Sequence, residues 1–158
     1  MVEYGTLHHE TDGKYTLKFE RFFAQQPEEV FNTVIHPEYF PQWYPFATGD
    51  MDHREGGEIT FDDGEGSTYA GIITKFVPPY VFAFREVKDL LSMEFQSEDK
   101  GCRLIFKHTF DNQSMTVRTA AGWHRCLDAL GILVNGKEAA WPDNGAELRE
   151  AYEKAFAT

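Results

Sequence analysis

Residues 102–134 read CRLIFKHTFDNQSMTVRTAAGWHRCLDALGILV, and the fold is decided where the hydrophobic period changes inside this stretch. Up to Phe110 the period is two. Leu104, Phe106, His108 and Phe110 share one side, opposite Arg103, Ile105, Lys107 and Thr109, which predicts a half-buried strand. Beyond Asn112 the period lengthens to a helical one. Ala120, Trp123, Leu127, Leu130 and Val134 recur at spacings of three and four, so residues 115–134 are expected to form a long helix. Ser114 is its expected N-cap and Gly136 its C-cap. Cys126 borders the stripe. Gly122 and Gly131 lie inside the helix at a cost of about 1 kcal/mol each, which suggests close approach of a neighbouring backbone.

Strands also precede this stretch. They are expected near 15–23, 49–54, 57–62, 68–77, 80–86 and 90–97, making seven with 102–110. Gly56-Gly57, Asp62-Asp63-Gly64, Pro78-Pro79 and Asp99-Lys100-Gly101 supply the turns between them. Tyr80, Phe82 and Phe84 alternate with Val81, Ala83 and Arg85, and Leu91, Met93 and Phe95 with Ser92 and Glu94. One face is thus apolar and aromatic and the other polar, the pattern of a sheet covered on one side. Between the first strand and the second, Pro27-Glu28-Glu29 opens a short helix that His36-Pro37 ends, and residues 38–43 form another short turn. After Gly136 comes an extension with a short helix at 146–156.

The 158 residues fit one domain, which at this length buries roughly 70% of the unfolded chain's surface. Fourteen Phe, seven Tyr and three Trp give rings enough to fill a large core or to line a cavity. A net charge of −11 repels phosphate backbones and anionic lipid surfaces, so neither nucleic acid nor a membrane is an expected partner. No apolar leader or run of about 18 apolar residues occurs, and Cys102 and Cys126 stand alone. A reduced, cytoplasmic location is therefore expected.

The run PEEVFNTVIHPEYFPQWYPF at 27–46 resembles the opening segment of the START-like (SRPBCC) superfamily. Within it, the chain looks most like the branch named after the activator of the heat shock protein 90 ATPase. Pro27, Glu29, Val30, Phe31, Pro37, Glu38, Trp43 and Tyr44 carry that likeness; FVPPYVFAF at 76–84 and GWHRCLDAL at 122–130 add two more stretches in the same order. His36 stands where Asp or Asn is usual, and Phe84 where Trp is common. The resemblance covers about 14–135. It implies the α+β helix-grip fold: a seven-stranded curved antiparallel sheet wrapped around the long C-terminal helix, with two short helices after the first strand. Residues 136–158 form an extension. Only 13 residues precede that core, so the chaperone-engaging domain of the eukaryotic co-chaperones is expected to be absent and a chaperone partner is disfavoured. The resemblance leaves a homodimer open.

In that superfamily the space between sheet and helix often holds a ligand. The residues expected to face it here are Trp43, Tyr44, Ile72, Phe76, Phe82, Phe84, Met93, Phe95, Phe106, His108 and Trp123, and the leading expectation is a small hydrophobic or amphipathic molecule bound among them. His108, in phase with the apolar positions, is expected to point inward. It would serve as a polar anchor or a structural histidine, or as the acid/base of a cyclase- or hydrolase-type enzyme. A protein-interaction module is the third option. The sequence contains no GxSxG elbow, phosphate loop or HExxH pair, and its His8-His9-Glu10 segment reads as a solvated tail, so no catalytic residue, metal or cofactor is assigned.

Overall fold

The computed structural model describes residues 4–138, 140, 141 and 143–157. The chain opens with β1 (Thr6–His9) and β2 (Tyr15–Phe23), and then α1 (Pro27–Ile35) and α2 (Phe40–Trp43). Next come β3 (Ala47–Met51), β4 (Glu58–Asp62), β5 (Thr68–Val77), β6 (Val81–Glu86), β7 (Asp89–Glu98) and β8 (Gly101–Phe110). A 3-10 turn (Gln113–Met115) leads into α3 (Thr116–Val134), and α4 (Gly145–Ala155) closes the order. The strands form one antiparallel sheet in the order β1-β2-β8-β7-β6-β5-β4-β3. The two short helices carry the chain from β2, near one edge, to β3 at the other, so the sheet curves around α3 without closing.

Eight strands stand where seven are expected. The additional one is β1, in the segment read as a solvated tail. It pairs along the free edge of β2, with Thr6 opposite Lys18 and His9 opposite Tyr15. Four residues are too few for a periodic signal; tertiary contacts hold the strand instead. The Gly5 N–H donates to Tyr152 Oη at 2.8 Å. A Cβ on Gly5 would come within 2.5 Å of the Phe19 ring, so only glycine fits.

Alternation holds along β7 and β8, where Leu91, Met93, Phe95, Leu104, Phe106 and Phe110 are buried. It fails on β5. The register slips between Ile73 and Lys75, a bulge that adds one residue and turns the strand's inward phase over. Ile73 therefore faces the core and Ile72 is 38% exposed on the outer face, while Phe76, past the bulge, turns back inward. The expected inward placement of Ile72 is thus corrected. Tyr80, just ahead of β6, is 48% exposed rather than part of the apolar face.

The long helix falls where the period predicts. Its approach is capped by Asn112, whose Oδ1 accepts from the Ser114 N–H at 3.1 Å, rather than by Ser114. Gly136 (φ 77°) ends it as expected. Ala120, Trp123, Leu127 and Leu130 are buried. The glycine expectation is corrected at Gly122, where a Cβ would meet nothing within 4 Å. On another face, His124 Nδ1 lies 2.7 Å from Tyr152 Oη and its Nε2 3.6 Å from Asp128, which also meets Arg21 at 3.5 Å. This buried polar group ties α3 to α4, β1 and β2. Among the described residues no helix is long and apolar enough to cross a membrane.

Candidate functional site

Most of the space between sheet and helix is filled. Trp43, Phe82, Phe84, Met93, Phe95 and Phe106 are each at most 1% exposed and interlock as core. Trp43 also donates its indole N–H to the Val34 carbonyl at 3.2 Å. Phe76 lies half-buried between Phe31 and His53, whose ring centroids are 5.7 and 6.0 Å away. The rings expected to line one long cavity thus close most of it, because facing aromatic side chains pack edge-to-face at van der Waals distance.

An opening survives at one end, a cleft of about 380 Å³ between the first half of α3 and the ends of β6, β7 and β8. Of the expected residues, Tyr44, His108 and Trp123 line it. Leu91, Phe46, Met115 and Cys126 supply further apolar wall, with Thr119 and Gly122 from α3 and Arg118, Glu86 and Asp89 at the margins. Pattern reading put Leu91 on the apolar face and Cys126 beside the helical stripe without assigning either to the site, and it missed the others for a reason. Phe46 and Asp89 sit in or beside turns, and the α3 residues flank the buried stripe rather than form it.

Two polar chains stiffen the cleft. Trp123 Nε1 donates to His108 Nδ1 at 2.8 Å, and His108 Nε2 lies 2.9 Å from Asp89 Oδ2. Since Nδ1 accepts, Nε2 carries the proton and donates to Asp89, so the neighbours set the tautomer and occupy both ring nitrogens. In the second chain, Tyr44 and Tyr69 hydroxyls each donate at 2.6 Å to the two carboxylate oxygens of Glu86. Burial, then the adjacent Glu86 charge, holds the Tyr44 hydroxyl far above its ordinary ionisation range. Burial pushes the Cys126 thiol up to about 12, leaving it protonated and unreactive at neutral pH. The Tyr44 and Trp123 rings stack at 4.9 Å and 20°, forming a flat aromatic wall. Among the described residues no group of three or more His, Cys, Asp or Glu side chains is placed to hold a metal ion.

A curved, open antiparallel sheet gripping a long C-terminal helix, with a cleft at one end, defines a helix-grip domain of the START-like kind. The chain belongs to the family described as Activator of Hsp90 ATPase homolog 1-like protein, whose model matches residues 24–135. Among solved structures, a conserved protein of unknown function from Enterococcus faecalis, EF2215, superposes with a TM-score of 0.84 at 14% identity, covering 97% of this chain and 90% of that one. CalU16 from Micromonospora echinospora gives a TM-score of 0.78 at 20% identity, covering 99% and 97%. The BPP1335 protein from Bordetella parapertussis gives 0.68 at 20% identity, covering 88% and 85%. At these identities the likeness concerns the fold. No curated protein matches the chain.

Proposed function

We propose that the chain binds a small hydrophobic or amphipathic molecule in the cleft between α3 and β6–β8. The observation that carries this reading is Gly122. It costs an exposed helix about 1 kcal/mol relative to alanine, yet no neighbour requires it, since a Cβ there would meet open space. What its missing side chain leaves is the cleft. The volume of about 380 Å³ lies in the range of small-molecule sites, and the walls are mainly aromatic and aliphatic. Binding would proceed by apolar burial against the Tyr44–Trp123 stack. With Trp123, His108, Asp89, Tyr44 and Glu86 already paired, that wall of the cleft arrives rigid, which lowers the ordering cost of binding. The acid/base reading of His108 gains no support from this geometry, because neither imidazole nitrogen is left for a substrate.

The test is a fluorescence titration with phenylnaphthylamine, an uncharged aromatic probe that brightens in apolar surroundings. Saturable one-to-one binding in the wild type, lost in Gly122→Leu with the fold intact, is the expected result. Equal binding by both proteins would remove the cleft from consideration.

A further inference from the structure

The cleft has a differently charged neighbour. A groove of about 490 Å³ between α3 and α4 is lined by Arg118, Arg125 and Arg149, with Gly122 and Gly145 between them. Arg118 and Gly122 also line the apolar cleft, so the two spaces adjoin along one turn of α3. Two of the guanidinium groups converge. A Cβ on Gly145 would lie 3.3 Å from Arg149 Nη1 and 3.6 Å from Arg125 Nη1, although these arginines come from different helices. Arg125 is held with its guanidinium carbon 5.6 Å from the Trp141 ring centroid. Neither Arg118 nor Arg149 makes an ion pair or hydrogen bond among the described residues. That is unusual company in a chain with 26 acidic and 15 basic residues, where carboxylate partners abound.

Converging like charges repel, and an anion between them removes the repulsion. The planar guanidinium fork suits carboxylate, sulfonate or phosphate oxygens. The acidic margin of the cleft is meanwhile occupied, with Glu86 bound by two tyrosine hydroxyls and Asp89 by His108. The site is therefore polarised, with hydrogen-bonded carboxylates at one margin and, at another, an arginine with no ion pair or hydrogen bond among the described residues.

Building on the cleft reading above, we infer that cleft and groove form a single site for an amphipathic anion. Its aromatic or alicyclic body fills the cleft, and its carboxylate, sulfate or phosphate group reaches across Gly122 to Arg118 and Arg149.

Two probes with the same rings decide this: anilinonaphthalenesulfonate and its uncharged parent phenylnaphthylamine, titrated against the wild type, Arg118→Gln/Arg149→Gln and Gly122→Leu, with circular dichroism confirming each fold. The sulfonate is expected to bind the wild type about tenfold more tightly than the parent, and the double arginine variant to bring the two affinities together. Equal affinities in the wild type, or a sulfonate affinity untouched by the double variant, would overturn the anionic end while the cleft reading stands. If neither probe binds, or Gly122→Leu affects neither, the cleft reading fails and the inference with it.

Discussion

Trp123 donates its indole N–H to Nδ1 of His108 at 2.8 Å, so the histidine on β8 and the tryptophan on α3 hold each other in one orientation. Asp89 completes the chain at 2.9 Å from the other nitrogen. In nitrogen-detected NMR near neutral pH, His108 should show an unprotonated Nδ1 and a protonated Nε2. The reverse tautomer would contradict the arrangement. Trp123→Phe leaves Nδ1 without its donor and opens space against Phe106, and should cost about 1–3 kcal/mol in urea unfolding.

Glu86 accepts from Tyr44 and Tyr69, and its charge helps hold both phenols in their protonated form. In Glu86→Gln the tyrosinate absorbance should rise at lower pH than in the wild type. Tyr69, the less buried ring, should supply most of the shift, because burial alone still restrains Tyr44. An unchanged titration curve would mean the two hydroxyls do not share this carboxylate.

His124 is held below its ordinary value, first by burial and also by Arg21, with Asp128 acting in the opposite sense. The folded state thus binds the proton less readily than the unfolded one. That stability is present in full above the unfolded value of about 6.5 and is lost as the pH falls below it. The urea midpoint of the wild type should drop between about pH 7 and pH 5 by more than that of His124→Gln. Parallel curves would show that His124 is not the group responsible.

Gly122→Ala should raise the thermal midpoint, since alanine gains about 1 kcal/mol in a helix and meets no obstruction here. A lowered midpoint would reveal a constraint at this position that open space does not explain.

Burial pushes the thiols of Cys102 and Cys126 up to about 11 and about 12. Both should resist iodoacetamide near pH 8 in the folded protein and react in urea, as read by intact mass. Rapid labelling of Cys126 in the native state would mean that the cleft admits solvent more freely than its 7% exposure suggests.

The strand-to-helix change at Phe110–Thr116 was legible because both periods are long and uninterrupted, and the quoted motifs pointed to the right family. Ile72 was misplaced because a bulge between Ile73 and Lys75 leaves no mark in composition; one additional residue suffices to exchange the faces. β1 escaped notice because its support, Tyr152, lies 147 positions from Gly5. His108 and Trp123 could be placed at the cleft by phase, and Tyr44 through the family resemblance. Their neighbours Phe46 and Asp89 could not, since turns carry no period. Whether rings line a space or fill it depends on packing that residue type does not encode. The meeting of Arg149 with Arg125 depends on how α4 docks, which no local pattern states.

The bond from Gly5 to Tyr152 has a mechanical consequence. It joins the approach to β1 to α4, so a pulling force applied through residues 4 and 157 loads that contact before the rest of the sheet. Once it parts, β1 peels from β2 starting at its open Thr6–Lys18 end, one pair after another, while β8 and α3 remain shielded behind them. Stretched between a bead and a surface, the protein should yield in two events: a small early release of slack from the amino-terminal hairpin, and a later, larger rupture of the gripped helix.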